Sequence, residues 1–115
     1  MRNIYLLLYL LLVVICLYAC HEPIPEYISY VENIIEKKPD SVLIILDSLE
    51  EQIQKEPLST RMYYNLLVAE ACDKCDIPNP YDSLLCDVVR YYEERKESDK
   101  LMKAYYFMGQ RHLEL

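Results

Sequence analysis

The sequence predicts an all-α chain in which antiparallel helix pairs stack side by side behind a short apolar N-terminal segment. Three observations carry this expectation. Apolar residues recur at helical spacing in five separate stretches, prolines separate most of those stretches, and no segment alternates with period two between turn signals. At 115 residues the chain is one domain at most. Its single Gly, at position 109, leaves no material for a phosphate-cradling loop, which excludes P-loop and dinucleotide-binding readings. Twelve basic against nineteen acidic residues give a net charge of −7, the wrong sign for nucleic acid, whose phosphates are bound by clustered Lys and Arg.

The N-terminal segment comes first. Met1, Arg2 and Asn3 form a short cationic start, and the fifteen residues from Ile4 to Tyr18 are apolar or aromatic without a charge. A signal core needs about 7 to 15 such residues and a membrane span about 20, so the run reads as an export signal, with an uncleaved anchor as the alternative. Its end, Leu17, Tyr18, Ala19 and Cys20, resembles the lipobox of bacterial lipoproteins. The resemblance implies cleavage between Ala19 and Cys20, a diacylglyceryl thioether on the Cys20 sulfur, and acylation of the new amino group. A small residue at 19 admits the peptidase, and the thiol at 20 is the group that carries the lipid. By the same resemblance, His21 in place of an Asp implies sorting to the outer membrane of a Gram-negative cell. Removing residues 1–19 takes away Arg2 alone among the charges, leaving 11 basic against 19 acidic residues, or −8. Two or more acyl chains, at about 0.8 kcal/mol per buried CH₂, anchor a protein stably.

Residues 20–24 then form the lipidated Cys and a tether, and residues 25–115 the helical domain. Pro25 opens the first predicted helix, because proline suits a first helical position. Tyr27, Ile28, Val31, Ile34 and Ile35 make its apolar stripe, and Pro39 stops it. Asp40 or Ser41 caps a second helix with Val42, Ile45, Leu46, Leu49 and Ile53, which ends before Pro57. Ser59 or Thr60 caps a third, carrying Tyr63, Leu66, Leu67, Ala69 and Ala71. Pro78 and Pro80 break the chain. A fourth helix starts at Asn79 with Pro80, or at Asp82, and follows Tyr81, Leu84, Leu85, Val88, Val89 and Tyr92. Ser98 or Asp99 caps a fifth, with Leu101, Ala104, Tyr105, Met108 and His112, which is still running where the sequence stops.

Alternate helices start near residues 25, 59 and 98, spacings of 34 and about 39 residues, which is the rhythm of helix-pair repeats. The stretch 103–110, with Tyr105, Met108 and Gly109, resembles the first helix of a tetratricopeptide repeat. There Gly109 is expected to let two helices approach closely. Residues 62–69 resemble a degenerate copy with Ala69 at the small position. The opening of the second helix, Pro39, Asp40 and Ser41, is similar to that of bacterial tetratricopeptide-repeat lipoproteins, in which lipobox, Pro-Asp-Ser helix and degenerate repeats follow in that order. The resemblance covers most of the mature chain and implies a tetratricopeptide-like α-solenoid whose last repeat is incomplete. Tyr63 with Tyr64, Tyr91 with Tyr92, and Tyr105 with Tyr106 are expected to pack between helices.

Candidate chemistry is sparse. Cys72 and Cys75 have the spacing of half a zinc site, but a closed site wants four ligands, and His21 and His112 stand at opposite ends of the mature chain. In an exported domain Cys72 or Cys75 could pair with Cys86, while buried free thiols are the simpler expectation. Glu50 with Glu51, Glu93 with Glu94, and Glu97 with Asp99 read as solvated helix faces. No catalytic constellation, metal or cofactor is expected beyond the covalent lipid on Cys20. The expected role is a membrane-anchored scaffold at the cell envelope that binds a protein or peptide. The alternative is the N-terminal structural or capping portion of a longer protein, with self-association through the uncovered last helix.

Overall fold

A computed structural model describes residues 2–19 and 24–114, with side chains over 2–16 and 24–110. Among the described residues it contains seven α-helices and no strand, so the all-α class holds. The helices are α1 (Arg2–Ala19), α2 (Glu26–Ile34), α3 (Pro39–Ser48), α4 (Glu50–Ile53), α5 (Leu58–Lys74), α6 (Leu85–Arg95) and α7 (Ser98–Glu114), with a 3₁₀ turn at Asp82–Leu84.

Helix starts differ from the expectation in one consistent way. The caps expected at Asp40, Ser41, Ser59 and Thr60 are not caps, because α3 begins at Pro39 and α5 at Leu58, which places all four inside first turns. Proline does the starting instead. Pro25 and Pro57 hold φ near −57° and −58° with ψ at 148° and 160°, and their carbonyls accept the first helical bonds from Ile28 and Ser29 and from Arg61. Pro25 therefore precedes its helix and does not occupy the first helical position. Pro39 has two roles: it forces Lys38 out of the helical region, ending the α2 turn, and it is itself the first residue of α3. The second predicted helix is divided at Leu49 into α3 and α4. The fourth starts late, with Tyr81 and Leu84 left outside the regular helix, because Pro80 and the Asn79 side chain, which accepts the Tyr81 N–H at 2.9 Å, shape a turn.

The core divides into two clusters with α5 between them. One joins Ile28, Val31 and Ile35 of the α2 segment, Val42 and Leu46 of α3, and Ile53 of α4 to Tyr64, Leu67, Val68, Ala71 and Cys72 of α5. The other joins Leu66 and Ala69 of α5 to Leu85, Val88, Val89 and Tyr92 of α6 and to Ala104 and Phe107 of α7. A helix buried on both sides carries apolar residues nearly all round, which is why residues 66–69 are consecutively apolar. The single stripe expected for this helix is two stripes superposed.

Neighbouring helices pack in chain order, α2 on α3, α3 on α5, α5 on α6 and α6 on α7, with α7 also touching α5. Tyr63 near the start of α5 shares a cavity with Tyr91 and Tyr92 near the end of α6, while Cys72 shares one with Leu85, so these two helices are antiparallel. The Tyr105 hydroxyl donates to Glu93 across the α6–α7 hairpin. Helix α7 then runs back along α5 in the parallel sense, with Lys100 over the Tyr63 ring at 5.1 Å and Lys103 bonded to Glu70 at 3.1 Å.

Two expectations about α7 are corrected. Among its described side chains Ala104 and Phe107 are buried and Leu101 and Met108 half-buried, whereas Tyr105 and Tyr106 are exposed. Gly109 is exposed, and a methyl group built there meets nothing within 4 Å, so it serves no close helix approach. The small residues buried in the cluster that α5, α6 and α7 share are Ala69 and Ala104.

Candidate functional site

Cys20, the expected lipid carrier, lies outside the described residues, and Ala19 is the last residue of α1. Every apolar side chain from Ile4 to Ile15 is exposed, between 37% for Val13 and 74% for Tyr5, so no part of the described protein covers this helix. Its 18 residues rise about 27 Å, against about 30 Å for the hydrocarbon core of a bilayer. No helix among the described residues is long and apolar enough to cross a membrane.

The three remaining candidate cysteines occupy three environments. Cys72 is buried in the α5 core face, Cys75 is half-buried at the end of α5, and Cys86 is exposed on α6, and all three are free. Burial, and after it the neighbouring Cys75, pushes the Cys72 thiol up, which disfavours the thiolate and leaves it a packing residue. No group of three or more His, Cys, Asp and Glu capable of holding a metal occurs among the described residues. Glu50, Glu51, Glu93, Glu94, Glu97 and Asp99 are all exposed, as solvated helix faces require.

The arrangement with most to offer a partner is the face where α2, α5 and α7 are joined by side chains. Lys74 of α5 reaches Glu36, just beyond α2, at 3.2 Å, and Lys103 of α7 reaches Glu70 of α5 at 3.1 Å. The Tyr63 hydroxyl is pushed well above its ordinary range, first by burial and then by the charge and hydrogen bond of Glu32. Glu70 is 7% exposed, the one buried carboxylate among the described residues, and Lys103 covers it. Beside this pair, α5 and α7 enclose an open groove of about 370 Å³ lined by Glu70, Lys74, Lys103, Met102, Tyr106 and Phe107. Met102 is 71% and Tyr106 55% exposed there. Large side chains flanked by paired charges suit contact with a peptide or protein better than chemistry, since such surfaces combine apolar anchors with a polar rim.

Comparison with protein-family models, curated proteins and solved structures finds no match. The groove residues were not legible in the sequence. Glu70 looks like any polar residue on a helix, and only the approach of α7 gives it Lys103. The signal that could have marked it is its place among the apolar residues 66–72, where a charge is out of keeping with a core helix.

Proposed function

We propose that the chain is a lipid-anchored scaffold of the bacterial cell envelope, a tetratricopeptide-like lipoprotein that binds a protein or peptide and is not an enzyme. In this reading residues 1–19 are the signal peptide, Cys20 carries the lipid, and residues 25–115 form the repeat domain at the outer membrane. The observation that carries it is the joining of α2, α5 and α7 along one face, with α3 packed on α2 and α5 and α6 packed on α5 and α7. Helix pairs repeated in this order present one helix of each pair to a common surface. An uncovered apolar α1 ending at Ala19 supports the anchor.

Two measurements test the two halves of the proposal. Radiolabelled palmitate is expected on the wild-type chain and absent from Cys20→Ala; label that survives the substitution, or no label on the wild type, removes the lipoprotein reading. A photocrosslinking residue at Met102 or Tyr106 is expected to capture a partner in intact cells, while one at Arg90 on α6 captures none. Equal capture at all three positions removes the binding face. The exposed Met102, Tyr105 and Tyr106 on α7 also favour a second reading, a capping portion whose last helix is covered by further chain or by a second copy. Concentration-dependent sedimentation of residues 21–115 supports that reading, and a monomer at high concentration counts against it.

A further inference from the structure

On the other side of α5 from the groove just described lies a second cleft, of about 320 Å³, between α3, α5 and the segment after α5. Its wall is apolar: Leu43, Val68 and Ile77 line it, with Ile44 74% and Ile77 47% exposed at the mouth. Its one charged lining residue is Asp47. Glu50 stands beside it, accepting a hydrogen bond from Tyr81, whose hydroxyl is raised to about 12 first by that bond and then by burial. Both carboxylates also act on Tyr64 in the cleft. No Lys, Arg or His lines the cleft, and neither Asp47 nor Glu50 takes part in an ion pair among the described residues. An apolar slot bordered by two uncompensated negative charges is complementary to an apolar group that brings its own cation.

We propose that this cleft binds a short peptide segment that presents an aliphatic side chain beside Lys or Arg, the aliphatic group entering between Val68 and Ile77 and the cation facing Asp47 and Glu50. The volume lies at the small end of ligand pockets, about 300 to 1,000 Å³, and so takes one or two side chains of a passing segment. Ile44 and Ile77 extend the apolar contact outside the cavity, as a chain crossing the mouth requires. The inference rests on the scaffold reading and adds to it a second docking point and the chemistry of its ligand.

The test uses the full-length chain in phosphatidylcholine nanodiscs and a fluorescein-labelled peptide alternating leucine and lysine, read by fluorescence anisotropy. Saturable binding is expected, weakened about fivefold, or roughly 1 kcal/mol, by Asp47→Asn with Glu50→Gln, as for two exposed ion pairs lost together. Ile77→Asp is expected to abolish it, and a leucine and glutamate peptide is expected not to bind. Unchanged thermal melts show that the variants fold. The proposal is overturned if the lysine peptide does not bind, if neutralising the carboxylates leaves its affinity unchanged, or if the glutamate peptide binds equally. Binding lost on Tyr106→Asp but untouched by the cleft variants also overturns it while leaving the scaffold reading in place, and crosslinking at Met102 tests that reading separately.

Discussion

Tyr64 and Tyr92 are both almost fully buried, at 2% and 1% exposure, and differ in what their hydroxyls meet. Tyr64 donates to the Leu46 carbonyl at 2.6 Å, tying α5 to α3, whereas the Tyr92 hydroxyl has no hydrogen-bond partner among the described residues. Tyr64→Phe is therefore expected to cost about 1 kcal/mol and Tyr92→Phe to be neutral or slightly stabilising, measured as shifts in urea midpoint at constant slope. Both hydroxyls are pushed above their ordinary value of 10, primarily by burial, and Tyr27 is raised to about 12 for the same first reason, with Glu56 adding to it. A group whose folded pKa exceeds its unfolded one contributes stability below the unfolded value and loses it as pH rises. The melting temperature should accordingly fall from about pH 10 upward, in step with tyrosinate absorbance, and Tyr64→Phe should flatten that fall. A melting temperature constant through pH 12 would contradict the burial of these rings.

Helix ends show how a chain with one glycine closes its helices. At the end of α5 the Ile77 N–H bonds the Cys72 carbonyl and the Asp76 N–H the Asp73 carbonyl. After α6, Glu97 and Lys96 repeat the pattern on Tyr92 and Glu93. These are Schellman closures, and they place Asp76 and Lys96 at φ 55° and 57°, where glycine is the usual residue. Neither end carries the glycine that would have announced it, which is why the sequence placed them only through Pro78 and the gap before Ser98. Lys96→Gly should stabilise by up to about 1 kcal/mol by relieving the left-handed conformation. Gly109→Ala should add up to about 1 kcal/mol, because the added methyl meets open space in a helix interior. Thermal melts check both. The cross-links between helices differ likewise. Lys103→Met strands the buried Glu70 and should cost about 1 kcal/mol, largely recovered by adding Glu70→Gln. Lys74→Met should cost under about 0.5 kcal/mol, since Glu36 is 72% exposed and well solvated.

Across the whole molecule, apolar surface and charge are separated along the chain. The described chain extends 67 × 26 × 24 Å. The uncovered apolar α1 carries one charge, while the remainder holds 11 basic against 19 acidic residues. Apolar surface on that scale is driven out of water, and the acidic domain repels itself and stays dispersed. The full chain is therefore expected to enter the detergent phase on Triton X-114 partition and residues 21–115 to remain in buffer. Recovery of residues 21–115 in detergent would show that the helical domain has a membrane-seeking surface of its own.

The places and rough extent of the helices were legible because helical periodicity and proline act locally, although the division of the second at Leu49 was not. Ile28 and Val31, or Val88 and Tyr92, lie on one face of their helices whatever surrounds them. Which face is buried, and against what, is a property of neighbours. Local spacing could not separate the two stripes of α5, show that Phe107 and not Tyr105 turns inward, or assign Cys72 to the core and Cys86 to solvent. It also credited Gly109 with a packing role, whereas the small residues buried in the cluster that α5, α6 and α7 share are Ala69 and Ala104. The sequence by itself determined an all-helical chain with an apolar N-terminal segment. The tertiary structure decided that α5 is its shared wall, because only a helix covered from both sides can bury two stripes, and so decided which residues remain exposed.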